Sequence, residues 1–517
     1  MMKRQLCALV TGALILTSGC SQSQHNHKQV TLSLPTEAKA AKLDAQGYDA
    51  AMPVYSAVYD ALVQYDKKKT FKPGLAQKWE VEDGGKTYRF HLKKGVKFSD
   101  GSDFDAQAVK FSIERAKAMN KETTVETLKQ LKSVVVKNKH TVEINLKTPS
   151  NQVLNELTQV RPLRIMSSHA VKDGKVTGQF KEAIGTGAFK IGDDGKEKTT
   201  LKPNPYFKGN KPLNYDLVFQ TIEDGDARQS AIQSGAVDIT GGALGMLTDA
   251  QIKQAKSTQK LSVSENPSTV SHFIAFNPEN KQLQHKDLRQ AISESIQTKA
   301  LSSQPLKGLF QRDVQYVTAQ NQQQHRFDKK AAQHAFEQAG YHRNKQGMYE
   351  KDGQVLTFNL VIQTAEFPNW KDKAEQVQAN LKAVGVKVNI KHLDAQSYYD
   401  TLWTKKDYDL IFYRTYSDAL MPYNFMNSVF KNNGDKPGVL ANDKVLTQQL
   451  EAFPKEIDKQ SQKKAFNHIF KHFNQQYYGV PIAYPNETFV TSDKIKSFKF
   501  SGLTDAPVDY KKLEVNQ

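Results

Sequence analysis

The chain has 517 residues, too many for one ordinary core and enough for two or three domains. Hydrophobic residues make up 38% and charged residues 24%, a soluble globular composition that argues against a disordered chain. The net charge of +18 comes from 72 lysines and arginines spread among 54 acids. No basic stripe interleaved with aromatics occurs, so nucleic acid is not an expected partner.

The N-terminus reads "MMKRQLCALVTGALILTSGC". Lys3 and Arg4 precede an apolar stretch from Leu6 to Leu16 and small residues before Cys20, the plan of an export signal. The apolar stretch is too short to span a bilayer. Cys20 directly after Ser18-Gly19 resembles a lipobox, in which Cys20 is lipidated and becomes the first mature residue. Thr17 stands where such signals usually place leucine, and Leu16 is one position early; an ordinary secretory signal is the alternative. Cys7 lies in the removed segment, so the mature chain has no partner for a disulfide and no thiolate metal site. Residues 21–29 then form a polar tether in which His25 and His27 are read as solvated. The expectation is an extracytoplasmic, lipid-anchored protein without access to ATP.

"VTLSLP" reads as a strand and "MPVYSAVYDALVQYD" as a helix. "KTYRFHLKKGVKF" alternates Tyr88, Phe90, Leu92 and turns at Gly95, a hairpin or meander. "SDFDAQAVKFSIERAKA" is a helix with Asp103 and Asp105 as cap candidates, and "HTVEINL" is a strand. In "LTQVRPLRIMSS", Arg161 and Arg164 flank Pro162 with no acid within four positions. Such a guanidinium is free for an anionic ligand, its planar fork suits a carboxylate, and Pro162 fixes the backbone beside it. A salt bridge to an acid distant in sequence is the competing reading, the stronger one for Arg164.

In the second half, "FDKKAAQHAFEQAGY" puts Ala332, Ala335, Phe336 and Ala339 on one helical face closed by Gly340. "VLTFNLVIQ", a helix from Trp370 to Val384, "VKVNI" and "DYDLIFYRTY" follow, an order that favours an α/β lobe with a largely parallel sheet. With no flexible linker, two α/β lobes joined by short crossing strands, with a ligand cleft between them, are expected.

Enzyme motifs are missing: no HExxH, GxSxG, P-loop or CxxC pair occurs. "GTGAFKIG" contains GxG, but a strand and not a phosphate-holding helix follows it. Asp224 and Asp226 read as a surface loop.

"LAQKWEVEDGGKTYRFHLKKGVKFSDGSDFDAQAVKFSIER", "AIGTGAFKI", "ARQSAIQSGAVDI", "HFIAFNPENKQLQHKDLRQAISESI" and "GVPIAYPNETFVTS" resemble, in order, the extracytoplasmic solute-binding proteins of peptide and nickel ABC importers, family 5. Ala188 stands where the family's GTGPF strand has proline. "ELTQVRPLRIMS" and "DLIFYRTYSDALMPYNFMNS" are most similar to the nickel-binding branch.

The resemblance implies a two-lobed periplasmic-binding-protein-like fold (type II, cluster C), with lobe I at residues 30–268 plus 482–517 and lobe II at 269–481. Crossing strands near Ser271–Asn277 and Gly479–Tyr484 would form the hinge. It implies that Arg161 grips ligand carboxylates, with Met52, Tyr48 and Tyr416 around the ligand. A second basic residue falls near Lys121 and a tryptophan near Thr124, and Leu420 replaces a second tyrosine. The metal-completing histidine falls near Gly434, where "FKNNGDK" has none. His272 is the candidate replacement as metal ligand; a buried hinge histidine is the plainer reading.

The expected function is a non-enzymatic, monomeric binding lipoprotein. It would deliver a nickel or other transition-metal chelate with histidine or a metallophore to an ABC permease, with no cofactor. Short peptides are the alternative cargo, although no acid for a peptide amine stands out. An extracellular hydrolase lacks a nucleophile–base set, and an adhesin using the basic face is a possible second role.

Overall fold

Alternating and apolar segments fold into two layered units, each around its own core. This computed structural model describes residues 28–65, 70–209, 213–302, 306–312, 314–322, 326–415 and 421–516. The signal, Cys20 and most of the tether lie outside the described residues. Lys28 and Gln29, expected in the tether, pair with Tyr215 and Asp216 in the first strand.

The first lobe is built on a seven-stranded sheet. Its order is Leu261–Asn266, Glu487–Ser492, Ile239–Gly241, Lys28–Leu34, Tyr215–Thr221, Lys198–Pro203 and Phe189–Asp194. Val30, Leu32 and Leu34 point one way and are buried, the period of two expected of a strand. A four-stranded antiparallel sheet, Ala76–Glu82, Thr87–Leu92, Thr141–Leu146 and Leu131–Asn138, extends the lobe. Helix Ala106–Met119 covers it, capped by Asp105, whose carboxylate accepts from the N–H groups of Gln107 and Ala108. Asp103 does not cap; it pairs with Lys97 and Lys139.

The second lobe holds a five-stranded sheet in the order Lys387–His392, Thr357–Ile362, Leu410–Arg414, His272–Phe276 and Gly479–Ala483. The first three strands are parallel, and the last two join antiparallel. Helix Trp370–Ala383 stops before Gly385, where φ is +91° and a Cβ would lie 2.3 Å from the carbonyl of Gly347. His272–Phe276 and Gly479–Ala483 lie side by side and carry the chain between the lobes. One core draws on residues 30 to 244 and 489 to 513, the other on residues 273 to 482.

The helix at Met52 is shorter than its sequence suggests. It ends at Val58, Tyr59 is extended, and Val63–Tyr65 is a strand. Tertiary packing ends it, because the "GTG" backbone lies against the carbonyl of Val58: a Cβ on Gly185 would stand 2.0 Å from that oxygen, and the Gly187 N–H donates to it at 2.9 Å. The glycines therefore serve close backbone approach. Among the described residues, no helix is long and apolar enough to cross a membrane.

Candidate functional site

The segment after helix Val153–Glu156 is anchored by Leu157, Val160, Leu163, Ile165 and Met166, all buried in the first core. Between these anchors the two arginines take different surroundings. Arg164 is buried; its Nε donates to the carbonyl of Gln159 at 2.9 Å and its Nη1 to that of Tyr59 at 3.3 Å. Burial pushes its guanidinium down to about 10. It braces the lobe through main-chain carbonyls.

Arg161 faces a cavity. Its Nη1 donates to the carbonyls of Tyr48 at 2.6 Å and Ala50 at 3.1 Å. Its guanidinium lies 5.1 Å from the ring centre of Tyr48 and 5.8 Å from that of Tyr55. No carboxylate pairs with it among the described residues. Its charge is held in place and left uncompensated.

The cavity measures about 830 Å³ and lies between the lobes. Tyr48, Met52, Lys121, Thr124 and Arg161 line it from the first lobe, so the structure gathers most of the positions that the resemblance singles out. The second lobe contributes Trp403, Met421, Asn424 and Asn427. The lobes touch beside it: Asn427 Nδ2 donates to the Thr124 carbonyl at 2.7 Å, and Asn151 Nδ2 to those of Phe453 and Glu456 at 3.0 and 2.8 Å. Such a volume suits a small ligand enclosed on closure.

Of the other expected positions, two lie outside the described residues and two fall elsewhere. Tyr416 and Leu420 lie outside the described residues. Gly434 sits in an exposed turn with φ +61° and does not line the cavity. His272 lines a separate cavity of about 610 Å³, beside Phe367 and Trp370. Its Nδ1 accepts the indole N–H of Trp370 at 3.1 Å. An indole can only donate, so the imidazole proton sits on Nε2 and leaves no lone pair there for a metal. Burial, with Lys373 and Arg414 nearby, pushes His272 down to about 3. His272 is thus buried in the crossing strand, with its Nδ1 taken by Trp370. Among the described residues, no three histidine, cysteine or acidic side chains gather to hold a metal.

Reading the sequence also missed Glu156, which stands five residues before Arg161 and lines the cavity. Its two oxygens accept from the N–H groups of Glu126 and Thr127, each at 2.7 Å. Burial outweighs these bonds and pushes its carboxyl up to about 7. The folded state therefore holds a proton that an unfolded carboxyl loses near 4.5. Its stabilising share is full below about 4.5 and lost as pH rises through 7, on the order of 3 kcal/mol. Urea denaturation from pH 5 to 8 should show falling stability, and Glu156→Gln should flatten that slope. An identical slope in the variant would remove Glu156 as its source.

Two lobes, two crossing strands and a cavity between the lobes with an uncompensated cation define a solute-binding protein. The profile described as "Bacterial extracellular solute-binding proteins, family 5 Middle" matches residues 70–437, and the chain belongs to this family. It is thus a non-enzymatic, extracytoplasmic solute-binding protein of an ABC importer. The nickel-binding periplasmic protein of Escherichia coli K12 is 25% identical over 474 residues, 88% of this chain and 89% of that protein. A probable D,D-dipeptide-binding periplasmic protein of the same organism is 27% identical over 403 residues, 74% of this chain and 73% of that one. The crystal structure of NikA from Brucella suis with Fe(III)-EDTA superposes with a TM-score of 0.84 at 23% identity, covering 94% of this chain and all of that one.

Proposed function

We propose that the cleft captures nickel, or another transition metal, as a complex with histidine or a carboxylate-bearing metallophore and delivers it to the permease. The observation that carries this reading is Arg161, a guanidinium fork without a carboxylate partner in a cavity where the described residues offer no metal-binding cluster. The metal must then arrive with its own donor atoms, and its chelator supplies the carboxylate for Arg161. The nickel-binding relative supports the same cargo. The protein would act as a monomer tethered by lipid at Cys20. A short peptide is the second reading, supported by the dipeptide-binding relative.

Native mass spectrometry of membrane-extracted protein should show a diacylated Cys20 and a co-purified small metal complex. A ladder of peptide masses would overturn the metal reading, and an unmodified Cys20 would overturn the anchor.

A further inference from the structure

Two large apolar side chains that stay exposed in the folded chain stand on the wall of the cavity between the lobes. Met119, the last residue of helix Ala106–Met119, comes from the first lobe and is 44% exposed. Trp403 comes from the second lobe and is 42% exposed. It sits in the π turn Thr401–Lys405, which the Lys406 N–H closes on the Thr401 carbonyl at 2.9 Å. Such wide turns are rare and recur at functional sites. Leu402 anchors this one in the second core, and the next side chain, the indole, is left on the cavity wall. Among the described residues, no ring, cation or hydrogen bond fixes that indole. Tyr48 is exposed on the same wall, but Arg161 already lies over its ring. Met119 and Trp403 thus forgo the gain of leaving water, and an apolar part of the ligand laid against them would supply it.

We propose that Met119 and Trp403 form a slot for a flat, unsaturated ring on the ligand whose carboxylate Arg161 holds. An indole stacks on such a ring, and a thioether packs against its edge. The cleft then prefers carboxylate chelators that bear an imidazole or a similar heteroaromatic ring over chelators that offer the metal as many donors without a ring. The slot rests on the metal-chelate reading above and deepens it by naming the ligand chemistry.

Calorimetry on the full chain with two probes tests it. Ni(II)–L-histidine presents a carboxylate, an amine and an imidazole; Ni(II)–L-2,3-diaminopropionate replaces the imidazole by a second amine and has no ring. Wild type should bind the histidine complex about five- to thirtyfold more tightly than the ring-free one. Trp403→Ala should erase most of that preference by weakening the histidine complex alone, and Trp403→Phe, which keeps a ring, should restore most of it. Met119→Ala should lower the same preference by a smaller factor, and it carries the comparison if Trp403→Ala does not fold. No preference in wild type, or a Trp403→Ala variant that loses both complexes equally or neither, would overturn the slot while leaving the cargo reading intact. Wild-type protein that binds neither complex would overturn the cargo reading, and the slot with it.

Discussion

Arg161→Ala is expected to weaken binding of Ni(II)–histidine about thirty-fold to several hundred-fold, roughly 2–4 kcal/mol. The guanidinium is uncompensated, and a carboxylate meeting it in a closed cleft forms a charge-assisted contact in reduced dielectric. Part of the fork is already committed, since Nη1 serves the carbonyls of Tyr48 and Ala50. Removing it therefore also loosens the turn that carries Tyr48, and stability should fall by about 1 kcal/mol. Arg161→Lys keeps the charge and loses the fork, so its affinity should lie between wild type and alanine. Titrations with nickel alone, histidine alone and the mixture separate the contributions. Tight binding of bare nickel that survives Arg161→Ala would show a protein-built metal site instead.

A second large effect is expected far from any ligand contact. Asp44→Ala should destabilise the fold by about 3–5 kcal/mol in urea denaturation, because it leaves Arg115 buried without its counter-charge. The pair is closed at 2.5 Å, with side chains 3% and 8% exposed. Arg115 also donates to the carbonyls of Val176 and Gly178, and Asp44 accepts from the Gln46 N–H. The carboxylate thus ties the turn that leads to Tyr48 and Met52 onto helix Ala106–Met119. Ligand affinity should fall together with stability. A loss below about 1 kcal/mol would mean that water replaces the carboxylate, so that Asp44 does not anchor the cavity wall.

The local half of this architecture is written in local chemistry. Asp105 before an amphipathic run caps a helix wherever that run folds, and Val30, Leu32 and Leu34 share one face because a strand sends successive side chains to opposite sides. Arg161 was legible for a related reason: a guanidinium in an apolar run, with no acid near in sequence, needs a partner from elsewhere. The family resemblance then directed it to a ligand.

What only the tertiary structure decided depends on groups brought together from distant segments. Helix Met52–Val58 stops where Gly185 and Gly187 press on its last carbonyl, more than a hundred residues away, and no local propensity signals that stop. His272 stands in a strand that alone gives no tautomer; Trp370, 98 residues on, donates to Nδ1 and places the proton on Nε2. Asn427 is a polar residue in an apolar helix until Thr124, from the other lobe, takes one end of its amide and leaves the other end buried without a partner among the described residues. Periodicity and caps act within a turn or two of chain, so the sequence by itself determines elements and their buried faces. Burial, tautomer and unmet hydrogen-bonding capacity are properties of an assembled site, and these turn a two-lobed fold into a selective one.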